Sequence, residues 1–269
     1  MNSMLLNSVI LVLQETLEAA LLVSVLLAIS YRKWQSVTWL PLGLLAGLVL
    51  AFVYASQMDV ISEWFDYVGQ EVVNALLQTA IAVPAMFCAW ALVSSGQAGS
   101  AERQVRLFSV SAGIAVALAI TREGSEVLMY LGGFLQVADY FQPVMIGSLI
   151  GFGIGVSIGL LLFYGLLALS RAWARRSAVF LLSLFSGNML SQAALQLTQA
   201  DWIPAAKALW NTSGWISETS IPGQLMYALI GYEATPSPVQ VLAYATGVVL
   251  VYVAAWLASS VSAQAGKLT

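Results

Sequence analysis

The amino-acid sequence predicts an all-α integral membrane protein with seven transmembrane helices in one domain. Of its 269 residues, 60% are hydrophobic and 9% are charged, and the mean hydropathy is +0.86. Soluble domains carry roughly 25% charged residues, so this composition excludes an ordinary soluble protein. Seven apolar stretches also approach the length of about 20 residues that a helix needs to cross a bilayer.

The seven predicted spans are separated by segments that contain charges, prolines or clusters of glycine and serine, which end helices. We place the spans at residues 4–30, 37–56, 70–93, 107–133, 144–169, 178–198 and 239–260. The first span has no basic segment before it and carries Glu15 and Glu18 in its core. We therefore expect it to be a retained helix and not a cleaved signal peptide.

The distribution of basic residues predicts the orientation of the helices, because lysine and arginine accumulate in short cytoplasmic loops. Eight of the ten basic residues fall on one side if the N-terminus is outside and the C-terminus inside: Arg32, Lys33, Arg103, Arg106, Arg171, Arg175, Arg176 and Lys267. Most acidic loop residues then lie on the outer side, where they would concentrate cations. The sequence thus predicts a multi-pass protein of the cell (inner or plasma) membrane with a cytoplasmic C-terminus.

The residue types that hold most cofactors are scarce in this chain. It contains one cysteine, Cys88, and no histidine. A single cysteine cannot form an internal disulfide, and without histidine the usual zinc, copper and haem ligand sets are missing. We therefore expect no tightly bound cofactor, and we interpret Cys88, which lies in an apolar stretch, as a packing residue.

Two ExxE motifs occupy equivalent places in the two halves of the chain, in the segments Gln14 to Glu18 and Arg122 to Glu126. Each half has three spans, which is an odd number, so the second half enters the membrane from the opposite side. This predicts an inverted repeat with a site at the midplane. Repeat 1 covers about 4–93 and repeat 2 about 107–198. The outer loop 199–238 and a seventh helix at 239–260 follow.

The charged residues of these motifs predict a cation site. Each ionised side chain at the centre of a membrane helix costs roughly 2.5–3.5 kcal/mol, and both motifs lie near the middle of a hydrocarbon core about 30 Å thick. Glutamates at positions i and i+3 share a helix face, so four carboxylates would converge and suit a hard multivalent cation. Arg122 would then be a partial counter-charge or would orient a carboxylate. The alternative is an Arg–Glu network that only fixes helix packing.

Two further features belong to the later spans and the last loop. The glycines of the fifth span, with Gly147 before it, are spaced for close helix contact, which predicts a packing role. The loop 199–238 contains three tryptophans, which are typical of a membrane interface and predict an interfacial helix there. Within that loop, Glu218 is a candidate relay ligand for a cation on its way in.

These residues resemble the high-affinity iron permease family of fungi and bacteria, also called the oxidase-dependent iron transporters. The resemblance runs over nearly the whole chain. It rests on the R-E-G-x-E motif at Arg122 to Glu126, on its variant at Gln14 to Glu18, and on the block L-W-N-T-S-G-W-I-S-E-T-S from Leu209 to Ser220. The first motif departs from the family pattern, since Gln14 replaces arginine and Thr16 replaces glycine.

The resemblance implies a transporter and not an enzyme, one that imports iron as its substrate, typically as Fe(III). Its iron ligands would be Glu15, Glu18, Glu123 and Glu126. The implied partners are the iron ion, membrane lipid and a periplasmic or extracellular iron-delivery or ferroxidase protein, with no nucleic acid. Two other functions stay open. One is a proton-coupled carrier for another hard cation such as Mn(II) or Ca(II). The other is a membrane anchor or electron-transfer subunit, which would need haem or cluster ligands.

Overall fold

The computed structural model describes residues 2–94, 101–135 and 137–265, and within them the chain is helical with no strand. The helices are α1 (Asn2–Trp34), α2 (Trp39–Ser56), α3 (Met58–Ser62), α4 (Trp64–Tyr67), α5 (Gly69–Val93), α6 (Ala101–Phe134), α7 (Ala138–Ala168), α8 (Arg171–Gln199), α9 (Ile221–Ile230) and α10 (Pro238–Ala265). Seven of these described helices, all except α3, α4 and α9, are long and apolar enough to cross a membrane. The predicted all-α membrane fold is confirmed. Lys267, one of the basic residues used to predict the orientation, lies outside the described residues.

Several helices extend beyond the predicted spans. Helix α8 begins at Arg171 instead of 178, because the arginines of its first two turns are good helix formers although they end the apolar window. Helix α7 begins at Ala138 and continues through Pro143. A proline this close to the N-terminus removes only one backbone hydrogen bond, so the helix passes through it.

Helix α10 packs mainly against α8, and the other six long helices pack in three pairs. Helix α1 lies along α7, α2 lies along α6, and α5 packs against α8. The first helix of each half therefore packs against the second helix of the other half, and the two third helices, α5 and α8, pack against each other. An inverted repeat would produce this pairing, and the repeat itself stays a prediction. Cys88 is fully buried in the apolar core of this bundle, in agreement with a packing role.

Glycines allow the two outer pairs to approach closely. Four glycines of α7 face α1 where a Cβ atom would crowd its neighbours: Gly147, Gly151, Gly155 and Gly159. A Cβ atom on Gly151, for example, would overlap the carbonyl oxygen of Val9. Gly43 and Gly47 of α2 face α6 in the same way. The packing role predicted for these glycines is confirmed, except at Gly153, where a Cβ atom would have no heavy atom within 4 Å.

One end of the bundle, here called the basic end, gathers the C-termini of α1, α5 and α7. Lys33 Nζ donates to the carbonyl oxygens of Ala91, Leu92 and Ser94 at 2.7, 2.9 and 3.0 Å. Arg32 donates to the carbonyl oxygens of Leu166 at 3.0 Å and Leu169 at 2.6 Å. Cations that bind the last carbonyls of a helix also oppose its dipole. The predicted basic loops thus also tie helix ends together.

The opposite end, here called the loop end, carries segments 57–68 and 200–237. Helix α9 lies in the second segment and is capped at both ends: the Ser220 hydroxyl accepts from the Gly223 amide at 3.2 Å, and Gly231 ends the helix at φ 68°. A left-handed residue at this position favours glycine. A helix in this loop was predicted, but α9 does more than line the surface. It packs through Ala228 on Leu13 and Leu17 of α1.

Candidate functional site

Helices α1 and α6 bring three of the four motif glutamates, Glu18, Glu123 and Glu126, into contact with the guanidinium of Arg122. Nη1 of Arg122 lies 3.4 Å from Oε2 of Glu18 and also contacts Oε1 of Glu123. Nη2 lies 3.3 Å from Oε1 of Glu126. Glu15 and Glu123 line the same cavity between these helices. One cation therefore holds together carboxylates from two helices that are distant in sequence.

Burial makes this cluster electrostatically strong. Glu15, Glu18, Arg122 and Glu123 are 8%, 3%, 5% and 3% exposed, whereas the Glu126 side chain is 29% exposed. Charges at such depth interact far more strongly than in water, because the surrounding dielectric is low. Glu126 is thus the most exposed member of the cluster.

Three polar atoms of the cluster have no hydrogen-bond partner among the described residues. They are Oε2 of Glu15, Oε2 of Glu123 and Nε of Arg122. A buried polar atom without a partner costs roughly 1–3 kcal/mol, and native structures contain few of them. Carboxylate oxygens in this condition are suited to bind a cation, which would give each of them a partner.

A cavity of about 250 Å³ reaches these two carboxylates. Glu15 and Glu123 are its acidic lining residues, and the rest of its wall is mostly apolar, including Leu48, Ile120 and Phe152. The cavity lies among α1, α2, α6 and α7. It gives the cluster room for an ion that is larger than a proton, next to the unpartnered oxygens.

A chain of buried amides supports Arg122 from the side of α5 and α8. Oε1 of Gln192 accepts from Nη2 of Arg122 at 3.1 Å and from Nε2 of Gln78 at 2.9 Å. Nε2 of Gln192 in turn donates to Oδ1 of Asn188 at 3.1 Å. Gln192 contacts the arginine directly and Gln78 does so only through Gln192, and no sequence signal indicated either contact. Their role follows from the packing of α5 on α8.

The altered first motif is accommodated by its neighbours. Thr16 stands where the second motif has Gly124, and its methyl group packs where a Cβ atom on Gly155 would lie. Gly124 in turn lies close to Ala51 of α2. The larger residue, Thr16, therefore packs against Gly155, and Gly124 packs against Ala51. Gln14 is half-buried and makes no side-chain hydrogen bond within the described chain, so it does not replace Arg122 as a second clamp.

Tyr227 of α9 is a neighbour of the site that sequence reasoning missed. Burial, followed by the charge of the nearby Glu18, raises the pKa of Tyr227 well above its ordinary value. Its phenol therefore keeps its proton at neutral pH and remains a hydrogen-bond donor beside the carboxylates. The loop was noted for its tryptophans, and no sequence signal indicated that α9 folds back onto α1.

Glu218 lies in the loop end and not in the cluster. Its Oε1 accepts from the backbone amides of Ala234 at 2.6 Å and Thr235 at 3.3 Å, which ties two parts of the loop together. Burial and then the charge of Glu218 raise the pKa of the neighbouring Glu233. The structure thus gives Glu218 a structural contact, and its role as a relay ligand stays a prediction.

The site described here differs in one respect from an open cage of carboxylates. Within the described residues, no three Asp, Glu, Cys or His side chains are spaced as a metal site. Three of the glutamates are instead in contact with the guanidinium of Arg122. A metal ion would have to exchange with this guanidinium, or bind on the Glu15–Glu123 side where oxygens are unpartnered.

Comparison with known proteins gives evidence that does not depend on the geometry of the site. The model of the family described as "Iron permease FTR1 family" matches residues 5–265 of this chain. The chain is 24% identical over 244 residues to "Ferrous iron permease EfeU" of Escherichia coli O6:H1 (strain CFT073), covering 85% of this chain and 87% of that protein. The proteins of the same name from Shigella sonnei (strain Ss046) and Escherichia coli O157:H7 match to the same extent. No solved structure matches the chain.

Proposed function

Because this chain belongs to the iron permease FTR1 family, we propose that it imports iron across the cytoplasmic membrane through the buried cluster of Glu15, Glu18, Glu123 and Glu126. The observation that carries this proposal is the gathering of Glu18, Glu123 and Glu126 from two helices around Arg122. Glu15 lines a cavity together with Glu123, and each of these two carboxylates has one oxygen without a partner among the described residues. Hard oxygen ligands of this kind suit iron ions. The family itself is one of transporters.

Arg122 acts in this proposal as the resident cation of the empty site. It neutralises part of the carboxylate charge, because an unpaired buried carboxylate is strongly destabilising. An arriving iron ion takes over the carboxylates, and the guanidinium turns toward the amide chain that begins at Gln192, which it already contacts. When iron leaves, the guanidinium returns. The exchange keeps the buried negative charge compensated throughout the cycle.

Charge balance favours Fe(III) as the transported form. If all four glutamates are ionised when the ion binds, they and Arg122 carry a net charge of 4 × (−1) + 1 = −3, which matches one ferric ion. A ferrous ion would match the same residues with one proton retained. The similar proteins named above are called ferrous iron permeases, so Fe(II) is the second candidate. Uptake assays with each oxidation state held fixed, by ascorbate or by a ferric chelate, distinguish the two.

Double substitution of Glu123→Gln and Glu126→Gln tests the assignment of the ligands. The amides keep the shape of the side chains and remove their charge, so radioactive iron uptake into proteoliposomes should fall to background. Glu102→Gln is the matched control, because Glu102 is an exposed glutamate of the same helix outside the cluster. Wild-type uptake by the double variant would contradict the proposal. Excess Mn(II) or Ca(II) should leave iron uptake unchanged, and strong inhibition would favour the other hard-cation carrier.

The loop end is the proposed external face, where iron arrives. It lies opposite the basic end, whose arginines and lysines are expected on the cytoplasmic side. We propose that a periplasmic or extracellular iron-delivery or ferroxidase protein meets this end. A membrane-impermeant maleimide added to intact cells should label a single cysteine introduced at Ser213. It should label a single cysteine introduced at Arg106 only after the cells are opened. Labelling of the Arg106 position from outside would reverse the orientation.

A further inference from the structure

The basic end contains a cavity that the transport site does not use. It measures about 570 Å³ and lies between the C-terminal part of α1 and the first turns of α8. Its cationic lining consists of Arg32, Lys33, Arg171 and Arg175, and no acidic side chain lines it. Four positive charges around one cavity need either wide exposure to water or an anion.

The four cations are not equivalent. The Lys33 ammonium and the Arg32 guanidinium are already bound to backbone carbonyls at the ends of α5 and α7. Arg171 and Arg175 are exposed and have no ion pair or hydrogen-bond partner in the described parts of the chain. Helix capping therefore explains the first two residues. It leaves Arg171 and Arg175 with all their donors free and directed to the same cavity.

Two further features indicate which kind of anion would fit this cavity. Arg171 is the first residue of α8, a helix of 29 residues, and the amides at such an N-terminus favour phosphate. The rest of the cavity wall is apolar, including Ile29, Leu92 and Leu166. A second cavity of about 830 Å³ shares Arg175 and extends along Phe180 and Tyr252 toward α10. A charged pocket thus lies beside a second cavity whose wall is mostly apolar apart from Arg175 and Arg176.

We propose that this cavity binds the phosphate of an anionic phospholipid in the adjacent leaflet, with Arg171 and Arg175 as its ligands. The acyl chains lie in the groove beside Phe180 and Tyr252. Basic pockets between transmembrane helices bind anionic lipid headgroups for the same physical reason. Free phosphate shares the charged part of this chemistry but gains nothing from the apolar groove, so the lipid is the source to which the geometry points.

Native mass spectrometry of the purified protein, with phosphatidylglycerol or phosphatidylcholine added to the detergent, tests the proposal. Wild-type protein should retain phosphatidylglycerol in preference to phosphatidylcholine. Each basic residue near an anionic surface contributes about fivefold to binding, so Arg171→Gln with Arg175→Gln should weaken retention roughly 25-fold. The control is Arg103→Gln with Arg106→Gln, which removes the same charge from the same end but outside both cavities. The control should bind lipid as the wild type does.

Three results would overturn the proposal. The first is equal retention of phosphatidylglycerol and phosphatidylcholine by the wild type. The second is an equal loss in both double variants, which would indicate general attraction by charge. The third is a thermal shift caused by inorganic phosphate alone, with none caused by phosphatidylglycerol, which would identify a soluble anion as the ligand. Monodisperse elution and unchanged iron uptake of the Arg171→Gln, Arg175→Gln variant confirm that it is folded, and thus separate this test from that of the transport site.

Discussion

Replacement of Arg122 by glutamine is the most informative perturbation of this protein. The substitution removes a guanidinium that contacts Glu18, Glu123 and Glu126 and is 5% exposed. It also removes the donor to Gln192. If Arg122 is the resident cation of the empty site, the variant should lose stability without metal and regain it when metal is added.

The magnitude of the loss follows from the burial of the site. Removal of one partner from a buried ion pair typically costs about 3–5 kcal/mol, because the remaining charge is left uncompensated. Three carboxylates lose their partner here, but protonation of one or two of them limits the damage, so we expect the same range of about 3–5 kcal/mol. Acidification should shrink the loss, since protonated glutamates no longer need the guanidinium. Iron at 100 times its dissociation constant should return about 2.7 kcal/mol.

Thermal unfolding in detergent, followed by tryptophan fluorescence, measures both effects. Arg103→Gln is the matched control, because Arg103 is exposed on the same helix and makes no ion pair in the described residues. The control should unfold like the wild type, with or without iron. Two results would refute the reasoning: a metal-free Arg122→Gln variant as stable as the wild type, or a destabilised variant that iron does not restore. The second result would show that the glutamates are not the metal ligands.

Three other predictions concern packing, protons and the loop end. Gly151→Leu should disrupt the contact of α7 with α1 and lower the thermal midpoint of unfolding, because its Cβ atom would overlap Val9 and overpacking costs about 1–3 kcal/mol or more; Gly153→Leu on the open face of the same helix should leave the midpoint unchanged. Iron affinity, measured by titration calorimetry, should fall from pH 7 to pH 5, because protons compete with the metal for carboxylates; a constant affinity would contradict a carboxylate site. Glu218→Ala should speed hydrogen exchange of the backbone amides of residues 234 and 235, because they lose their acceptor. Glu218→Gln, which keeps the acceptor oxygen, should speed this exchange less. Equal exchange rates in the two variants would show that the contact does not hold the loop.

The motif residues show how far a sequence pattern reaches into a site. The i, i+3 spacing of Glu15 and Glu18 was enough to place both on one face of a helix. It was not enough to show that Arg122 lies among the glutamates, because the direction of one long side chain depends on what surrounds it. The same limit applies to Gln192, whose contact with Arg122 depends on how α8 rotates against α5. Nor did the pattern indicate that α9 returns to α1, since ten residues of moderate hydropathy fit a membrane surface equally well.

The sequence by itself determined the number of long helices, their approximate limits, the buried depth of the acidic motifs and the glycine surfaces between helices. These are local properties: hydropathy sums along a segment, and periodicity follows from the geometry of a single helix. Only the tertiary structure decided which helices pair, which oxygens keep no partner, and that one arginine joins carboxylates 104 and four residues away from it in the chain. Contacts of this kind depend on the packing of several helices at once, which no single segment encodes.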